Sequence, residues 1–220
     1  MSTLNNLSNK IVAAMPKFGP IQRRIAVGLY RLLAEGRPVS TERLADALSL
    51  PQGRVLEILS QWPGVYYDDK KSVVGFWGLA LSKMPHRFQI DGRALYTWCA
   101  WDSLFIPGIL GKTAKVESND PVTGEKISLV VNTEGVQELE PAETVVSFLE
   151  PNGLFDADVI QSFCHFVHFF GSRKSGVQWT SEHKGTLLLS ADQAYELGRQ
   201  TNARNFAEAL AETPLMENKK

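Results

Sequence analysis

Hydrophobic residues in the first 80 positions recur at helical spacing in three segments, which are residues 21–35, 40–48 and 51–62. Two short apolar stretches, residues 65–67 and 73–77, flank a charged turn and predict a β-hairpin. Three helices followed by a small hairpin are typical of a winged helix-turn-helix. We therefore predict a winged-helix-like N-terminal domain over residues 1–80.

The rest of the chain alternates between strand and helix patterns. Strands are predicted over residues 79–90, 113–117, 126–131, 144–149, 164–170 and 186–189. Helices are predicted over residues 92–105, 179–184 and 190–210, with a short turn or helix at 155–162, a break at Pro107 and a frayed tail after residue 210. The predicted fold is α+β, and residues 81–220 form a mixed or antiparallel β-sheet domain flanked by helices.

Composition and charge restrict the functions that this fold can have. The 220 residues carry a formal net charge of −1, so the chain has no overall attraction to nucleic acid. Residues 1–80 contain ten Lys/Arg and six Asp/Glu, a weak net charge of +4 without the basic stripe of a DNA reader. No apolar run is long enough for a membrane span, and the first residues lack a signal-peptide pattern. Together with only two cysteines, this predicts a cytoplasmic protein with reduced thiols.

Cys99 and Asp102 place a thiol and a carboxyl three residues apart. On the predicted helix, Leu95, Cys99, Asp102 and Ile106 share one face. Helical neighbours at this spacing have Cβ atoms roughly 5–6 Å apart, so a soft nucleophile would lie beside a group that can hold a proton. The same pair is also compatible with a buried structural cysteine and a capping aspartate.

Several motifs resemble those of alkylmercury lyase, the organomercurial lyase of bacterial mercury resistance. They are Arg93-Ala-Leu-Tyr-Thr-Trp-Cys-Ala-Trp-Asp-Ser-Leu-Phe-Ile-Pro107, Gly111-Lys-Thr-Ala-Lys-Val116, and Gln161-Ser-Phe-Cys164 with Val167-His-Phe-Phe170. Glu35-Gly-Arg-Pro-Val-Ser40 also resembles the N-terminal region of that family. The resemblance covers about residues 25–205 and implies that residues 81–220 form the catalytic domain of such a lyase.

The resemblance implies an enzyme that cleaves carbon–mercury bonds by protonolysis, giving a hydrocarbon R–H and Hg²⁺. It implies that Cys99, Asp102 and Cys164 are catalytic, with the two thiolates binding mercury and Asp102 carrying the proton beside the metal. No organic cofactor or resident metal is implied, because mercury is substrate and product. The implied partners are a small organomercurial, exogenous thiols, and mercuric reductase as the acceptor of Hg²⁺.

The chain departs from some relatives at two positions. Asp120 and His165 stand where those relatives carry a further cysteine. If the chain is a lyase, its reaction must therefore use Cys99 and Cys164, which are the two cysteines of the sequence.

The chemistry explains why such residues would be needed. Mercury(II) is a soft cation that favours thiolate ligands. A second thiolate helps to expel the organic group, whose carbon must then receive a proton. An aspartate in water has a pKa of about 3.9, so an apolar wall must raise the pKa of Asp102. Four aromatic residues are predicted to form that wall, namely Trp98, Trp101, Phe105 and Phe163.

The residues alone leave three other functions open. A winged-helix DNA-binding regulator could use the cysteines as a metal or redox sensor, with a salt-dependent affinity for DNA. A thiol hydrolase would need His165 or His168 as a base, whereas we expect both to be hydrogen-bonded structural residues. A zinc site built from Cys99, Cys164 and a histidine lacks the paired spacing of structural zinc sites.

Overall fold

The computed structural model describes residues 3–156 and 158–212 of the chain. The helices in this part are α1 (Thr3–Ala14), α2 (Pro20–Leu33), α3 (Thr41–Leu48), α4 (Gln52–Ser60), α5 (Ala100–Leu110), α6 (Val159–Ser162), α7 (Arg173–Glu182) and α8 (Ala191–Glu212), with a 3₁₀ turn at Cys164–Phe166. None of these helices is long and apolar enough to cross a membrane. The frayed tail predicted after residue 210 lies outside the described residues from residue 213 onward.

The described strands form two antiparallel sheets. The strands are β1 (Val65–Tyr67), β2 (Val73–Phe76), β3 (Leu79–Ala80), β4 (His86–Ile90), β5 (Arg93–Thr97), β6 (Ala114–Asn119), β7 (Lys126–Val131), β8 (Val136–Glu140), β9 (Val145–Leu149), β10 (Phe169–Phe170) and β11 (Thr186–Ser190). The larger sheet has the order β1-β2-β3-β5-β4-β6-β7-β8, and the smaller has the order β10-β9-β11. The predicted α+β class with an antiparallel sheet is therefore confirmed.

The N-terminal elements match those predicted for residues 1–80, with α2, α3 and α4 followed by the β1–β2 hairpin. A short turn leads from β2 to β3, and β3 also pairs with β5. The hairpin strands are therefore one edge of the larger sheet, and strand pairing continues across residue 80. The winged-helix character and the domain boundary at residue 80 stay predictions.

The helix predicted over residues 92–105 is wrong in its first half. Residues Arg93–Thr97 form β5, which pairs with β4. Asp91 and Gly92 make the two-residue turn between these strands, with φ values of 48° and 75°. An Asp-Gly turn with two positive φ values matches the twist of a β-hairpin. Strand pairing therefore overrides the helical spacing of the apolar residues in this segment.

Pro107 does not break α5, so that prediction is also wrong. The helix continues to Leu110 and ends at Gly111, whose φ is 64°. Both Ile109 and Leu110 in the last turn are buried. Burial of this apolar turn outweighs the backbone hydrogen bond that a proline cannot make.

The strand predicted over residues 164–170 is wrong in its first half as well. Its first three residues form the 3₁₀ turn, closed by a hydrogen bond from Val167 N–H to the Cys164 C=O at 3.0 Å. Its last two residues form β10, which pairs with β9. A short apolar run does not distinguish a strand from a turn by periodicity, so the pairing partner decides.

Other predicted elements change their bounds. The strand predicted over residues 79–90 is divided into β3 and β4. The helix predicted over residues 179–184 is α7, which begins earlier, after Ser172 as its N-cap. The sequence pattern does not predict β8. The capping box that opens α8 is confirmed. Ser190 N–H donates to Gln193 Oε1 at 2.9 Å, and Gln193 N–H donates to Ser190 Oγ at 3.1 Å.

Helix α8 packs along α5 and holds its first turns. Trp101 Nε1–H donates to the Ala194 C=O at 3.0 Å, and Asn202 Nδ2–H donates to the Phe105 C=O at 2.8 Å. The helices approach closely because Gly198 has no side chain, and a Cβ there would lie 2.5 Å from the Cβ of Phe105. This packing fixes the end of α5 that carries the predicted site.

Candidate active site

Cys99 caps the N-terminus of α5 and is coupled there to Asp102. Its backbone is extended, with φ −139° and ψ 170°. The Cys99 N–H donates to Asp102 Oδ2 at 2.8 Å, which is the bond that the third helical residue makes in a capping box. Thr97 Oγ1 donates to the Cys99 C=O at 3.2 Å. A strand-to-helix junction, and not the predicted helical face, therefore brings the thiol and the carboxyl together.

Backbone and side-chain hydrogen bonds hold the Cys164 turn against the start of α5. The Ala100 N–H donates to the Val167 C=O at 3.1 Å. Ser147 Oγ of β9 donates to the Phe166 C=O and accepts a hydrogen bond from the His168 N–H, both at 2.9 Å. The smaller sheet therefore positions Cys164 beside Cys99.

The Cys99 and Cys164 sulfurs and a carboxylate oxygen of Asp102 lie within 4.8 Å of one another. All three residues are buried, and both cysteines are free thiols. Two soft sulfurs and one oxygen at this spacing can bind a single soft metal ion. The structure thus brings together the three residues that the sequence singles out, and we call them the thiol–carboxyl cluster.

Burial dominates the acid–base chemistry of the thiol–carboxyl cluster. It raises the pKa of Asp102 to about 7, against the lowering effect of hydrogen bonds from Cys99. Burial also raises the pKa of the Cys99 thiol well above its ordinary value, and the Cys164 thiol and the Asp102 charge add to that rise. The hydrogen bond from Cys99 lowers the pKa of Cys164, but burial and the Asp102 charge outweigh it and the pKa is raised. Asp102 can therefore exchange a proton near neutral pH.

An apolar cavity opens onto the thiol–carboxyl cluster. Asp102 and Cys164 line this cavity, whereas Cys99 lies behind its surface. Aromatic rings form most of the wall, namely Tyr30, Trp77, Trp98, Trp101, Phe105, Phe155, Phe163 and Phe206. All four aromatic residues predicted for the wall are among them. A small organic group in the cavity would meet a thiol and a carboxyl within apolar surroundings.

The two histidines of the Cys164 region are outside the thiol–carboxyl cluster. Nε2 of His168 forms a hydrogen bond with the His165 C=O at 2.7 Å, and its ring packs edge-on against Trp179 at 5.2 Å. The side chain of His165 is exposed. These contacts support the structural role that the sequence predicts for His168, whereas His165 contributes its backbone C=O and its predicted role stays a prediction.

Asp120 is a buried structural carboxylate. It accepts hydrogen bonds from the N–H groups of Val122 at 2.8 Å, Thr123 at 3.2 Å and Gly171 at 3.0 Å. It also accepts the Ser175 hydroxyl at 2.6 Å. These bonds tie the β6–β7 loop to the start of α7, so Asp120 does not replace a third thiol at the cluster.

Sequence reasoning missed three residues that line the cavity together with Asp102, which are Tyr30, Trp77 and Gly78. Trp77-Gly78 stands between two short apolar strands, a pattern that indicates a tight turn. The pattern does not reveal what the turn contacts. Tyr30 is one apolar position among several on α2 and carries no separate signal.

Comparisons with known proteins point to one family. A family model described as alkylmercury lyase matches residues 79–202. The alkylmercury lyase of Pseudomonas putida is 45% identical over 172 residues, covering 78% of this chain and 80% of that protein. That of Staphylococcus epidermidis is 39% identical over 176 residues, covering 80% of each. Among solved structures, the mercury-bound form of MerB2 has a TM-score of 0.71 and 21% identity, covers 94% of this chain and 98% of that chain, and shows the same fold.

Proposed function

The chain belongs to the alkylmercury lyase family, and on that premise we propose that Cys99, Asp102 and Cys164 together cleave the carbon–mercury bond. The family predicted from the motifs is confirmed, and with it the assignment to carbon–mercury lyases. The observation that carries the proposal is the thiol–carboxyl cluster, whose three ligand atoms lie within 4.8 Å of one another beside an apolar cavity.

Cys164 receives the organomercurial first, because its thiol lines the cavity and that of Cys99 does not. The substrate arrives as R–Hg–SR′, with an exogenous thiolate on mercury. Exchange forms the bond between Cys164 sulfur and mercury and breaks the Hg–SR′ bond. The proton of the Cys164 thiol leaves on R′SH. Capture therefore leaves the carbon–mercury bond intact.

Cys99 then supplies the second thiolate. Its sulfur lies within 4.8 Å of an Asp102 carboxylate oxygen, so the thiol proton passes to Asp102 as Cys99 sulfur binds mercury. Two thiolates increase the electron density on mercury, and the carbon leaves with the bonding electron pair. That carbon takes the proton from Asp102, which becomes a carboxylate again. The products are R–H and Hg²⁺ bound by Cys99 and Cys164, with Asp102 beside the metal.

The pKa of Asp102 suits both of its steps. A carboxyl with a pKa of about 7 accepts a proton from a thiol more readily than an ordinary aspartate does. It also releases that proton readily to a carbon that leaves as a strong base. The apolar wall, which includes Trp98 and Trp101, keeps the pKa in this range by burial.

Exogenous thiols and a mercuric reductase complete the proposed reaction. Thiols deliver R–Hg⁺ and help to remove Hg²⁺, which the reductase accepts. Mercury is substrate and product, and the steps use no organic cofactor and no resident metal. The two buried free thiols favour a cytoplasmic location, since a reducing compartment keeps them available.

The winged-helix-like part, residues 1–80, serves as a wall of the cavity in this proposal. Met15, Tyr30, Trp77 and Gly78 from this part line the same space as Asp102. This placement supports a role in covering the site, with the catalytic domain at residues 81–220. It offers no support for DNA binding.

The test is anaerobic incubation with phenylmercuric acetate and excess thiol, with benzene measured by gas chromatography. We expect benzene from the wild type, none above background from Cys99→Ser or Cys164→Ser, and about 10²- to 10⁴-fold slower release from Asp102→Asn. His168→Gln serves as the control and should keep its activity, because His168 lies outside the thiol–carboxyl cluster. A wild type that binds mercury but releases no benzene would contradict the proposal.

A further inference from the structure

Trp77 and Gly78 form a tight turn between β2 and β3, next to Asp102. Phe76 pairs with Leu79 across this turn, so only two residues make it. Both have positive φ, 34° at Trp77 and 101° at Gly78. Positive φ is ordinary for glycine, but in a bulky residue it is a strained conformation that the surrounding structure must hold.

Three hydrogen bonds hold the Trp77–Gly78 turn in place. The hydroxyl of the buried Tyr30 donates to the Trp77 C=O at 2.7 Å. The Trp77 N–H donates to the Gly64 C=O at 3.1 Å, and the Trp98 N–H donates to the Gly78 C=O at 2.9 Å. The last bond ties the turn to the segment that caps α5.

Gly78 lies directly against the carboxyl group of Asp102. A Cβ built on Gly78 would lie 2.5 Å from Cγ, 2.5 Å from Oδ1 and 2.8 Å from Cβ of Asp102. No side chain fits at Gly78 while the carboxyl keeps its place. One carboxylate oxygen accepts the Cys99 N–H and the other packs on the glycine, so the turn and the helix cap together fix the orientation of the group.

We propose that the Trp77–Gly78 turn is a positioning element that holds the Asp102 carboxyl where it can take a proton from Cys99 and give it to the substrate carbon. The turn acts through Asp102, and Tyr30 supports it by its bond to the Trp77 C=O. The inference rests on the proposed function, because only that function gives the orientation of Asp102 a catalytic consequence. It explains why strain is retained at Trp77 and why a glycine follows.

Gly78→Ala tests the inference, with Gly92→Ala as a matched control. Gly92 also lies in a two-residue hairpin turn with positive φ, 75°, but a Cβ there would meet no atom of the described residues within 4 Å. Displacing a reacting group by about 1 Å can cost about 100-fold in rate. We therefore expect Gly78→Ala to lower kcat by about 100-fold, with KM and the ultraviolet absorbance of the mercury–thiolate complex unchanged. Gly92→Ala should keep the wild-type kcat and KM.

Tyr30→Phe is the second variant and decides the question if Gly78→Ala does not fold. It keeps the buried ring but removes the donor to the Trp77 C=O, so the turn loosens. We expect a smaller loss in kcat, again with KM and mercury binding unchanged. A wild-type kcat in both Gly78→Ala and Tyr30→Phe would overturn the inference. It would also be overturned if Gly92→Ala lost as much kcat as Gly78→Ala, or if mercury binding fell together with kcat. An inactive wild type would instead contradict the proposed function.

Discussion

The Asp102 carboxylate accepts the backbone N–H of Cys99 at 2.8 Å, so the proposed proton carrier also caps the helix that begins beside the reactive thiol. A substitution at Asp102 can therefore affect both the fold and the chemistry. The variant that separates the two effects must keep an oxygen acceptor at this position. Asparagine does so, because its side-chain carbonyl can accept the same N–H.

Asp102→Asn should lose turnover and keep mercury binding. The amide retains the helix cap but cannot carry a proton between Cys99 and the substrate carbon. General acid–base catalysis contributes about 10²- to 10⁴-fold, so we expect a loss of that size in single-turnover release of benzene. The binding of Hg²⁺ by Cys99 and Cys164, followed by ultraviolet absorbance, should match that of the wild type. Unchanged benzene release would exclude Asp102 as the proton carrier.

The two thiols should differ in the first step of capture. Cys164 lines the cavity and Cys99 lies behind it. Cys99→Ser should therefore bind one phenylmercury group at nearly the wild-type rate without releasing benzene, whereas Cys164→Ser should bind it more slowly. Rapid mixing, with mass spectrometry of the intact protein, measures both rates. Faster capture by Cys164→Ser would reverse the order of the two steps.

Burial of Asp102 should make the native state less stable as the pH rises. The pKa of Asp102 is about 7 in the folded protein and 3.8 in the reference state, so the folded form binds the extra proton between these values. The free energy of unfolding should therefore fall by about 4 kcal/mol as the pH rises from about 4 to about 7. Asp102→Asn removes this contribution. Urea unfolding at pH 5 and pH 8 should show the wild type losing more stability than the variant over that interval.

His86 should have the opposite effect at acidic pH. Its ring is buried with Nδ1 against Ser118 Oγ at 2.8 Å, and burial, followed by the positive charge of His168, lowers its pKa from 6.5 to about 3. Below pH 6.5 the unfolded chain binds a proton that the native state excludes, so this residue destabilises the fold by up to about 5 kcal/mol near pH 3. His86→Gln should reduce the loss of stability between pH 6.5 and pH 4, measured by urea unfolding. The exposed His165→Gln is the control, and equal acid sensitivity of all three proteins would contradict the prediction.

Local patterns were sufficient for much of the fold. The alternation along β6 and β7, the helical spacing of α2, α3 and α4, and the capping box of α8 each depend on contacts between residues close in sequence. The candidate catalytic residues could also be predicted from the sequence, because Cys99, Asp102 and Cys164 lie within recognisable family motifs. The sequence by itself therefore determined the family, the α+β class and the three residues of the cluster.

Only the tertiary structure decided how those residues meet. Residues 93–97 have helical spacing and yet form β5, since pairing with β4 across the Asp91–Gly92 turn is more favourable. Cys164 reaches Cys99 because Ser147, on a different strand, holds its turn. Gly78 meets Asp102 because β3 pairs with β5. The contacts of Ser147 and Gly78 join segments distant in the chain, and periodicity reports the face of an element but not its partner.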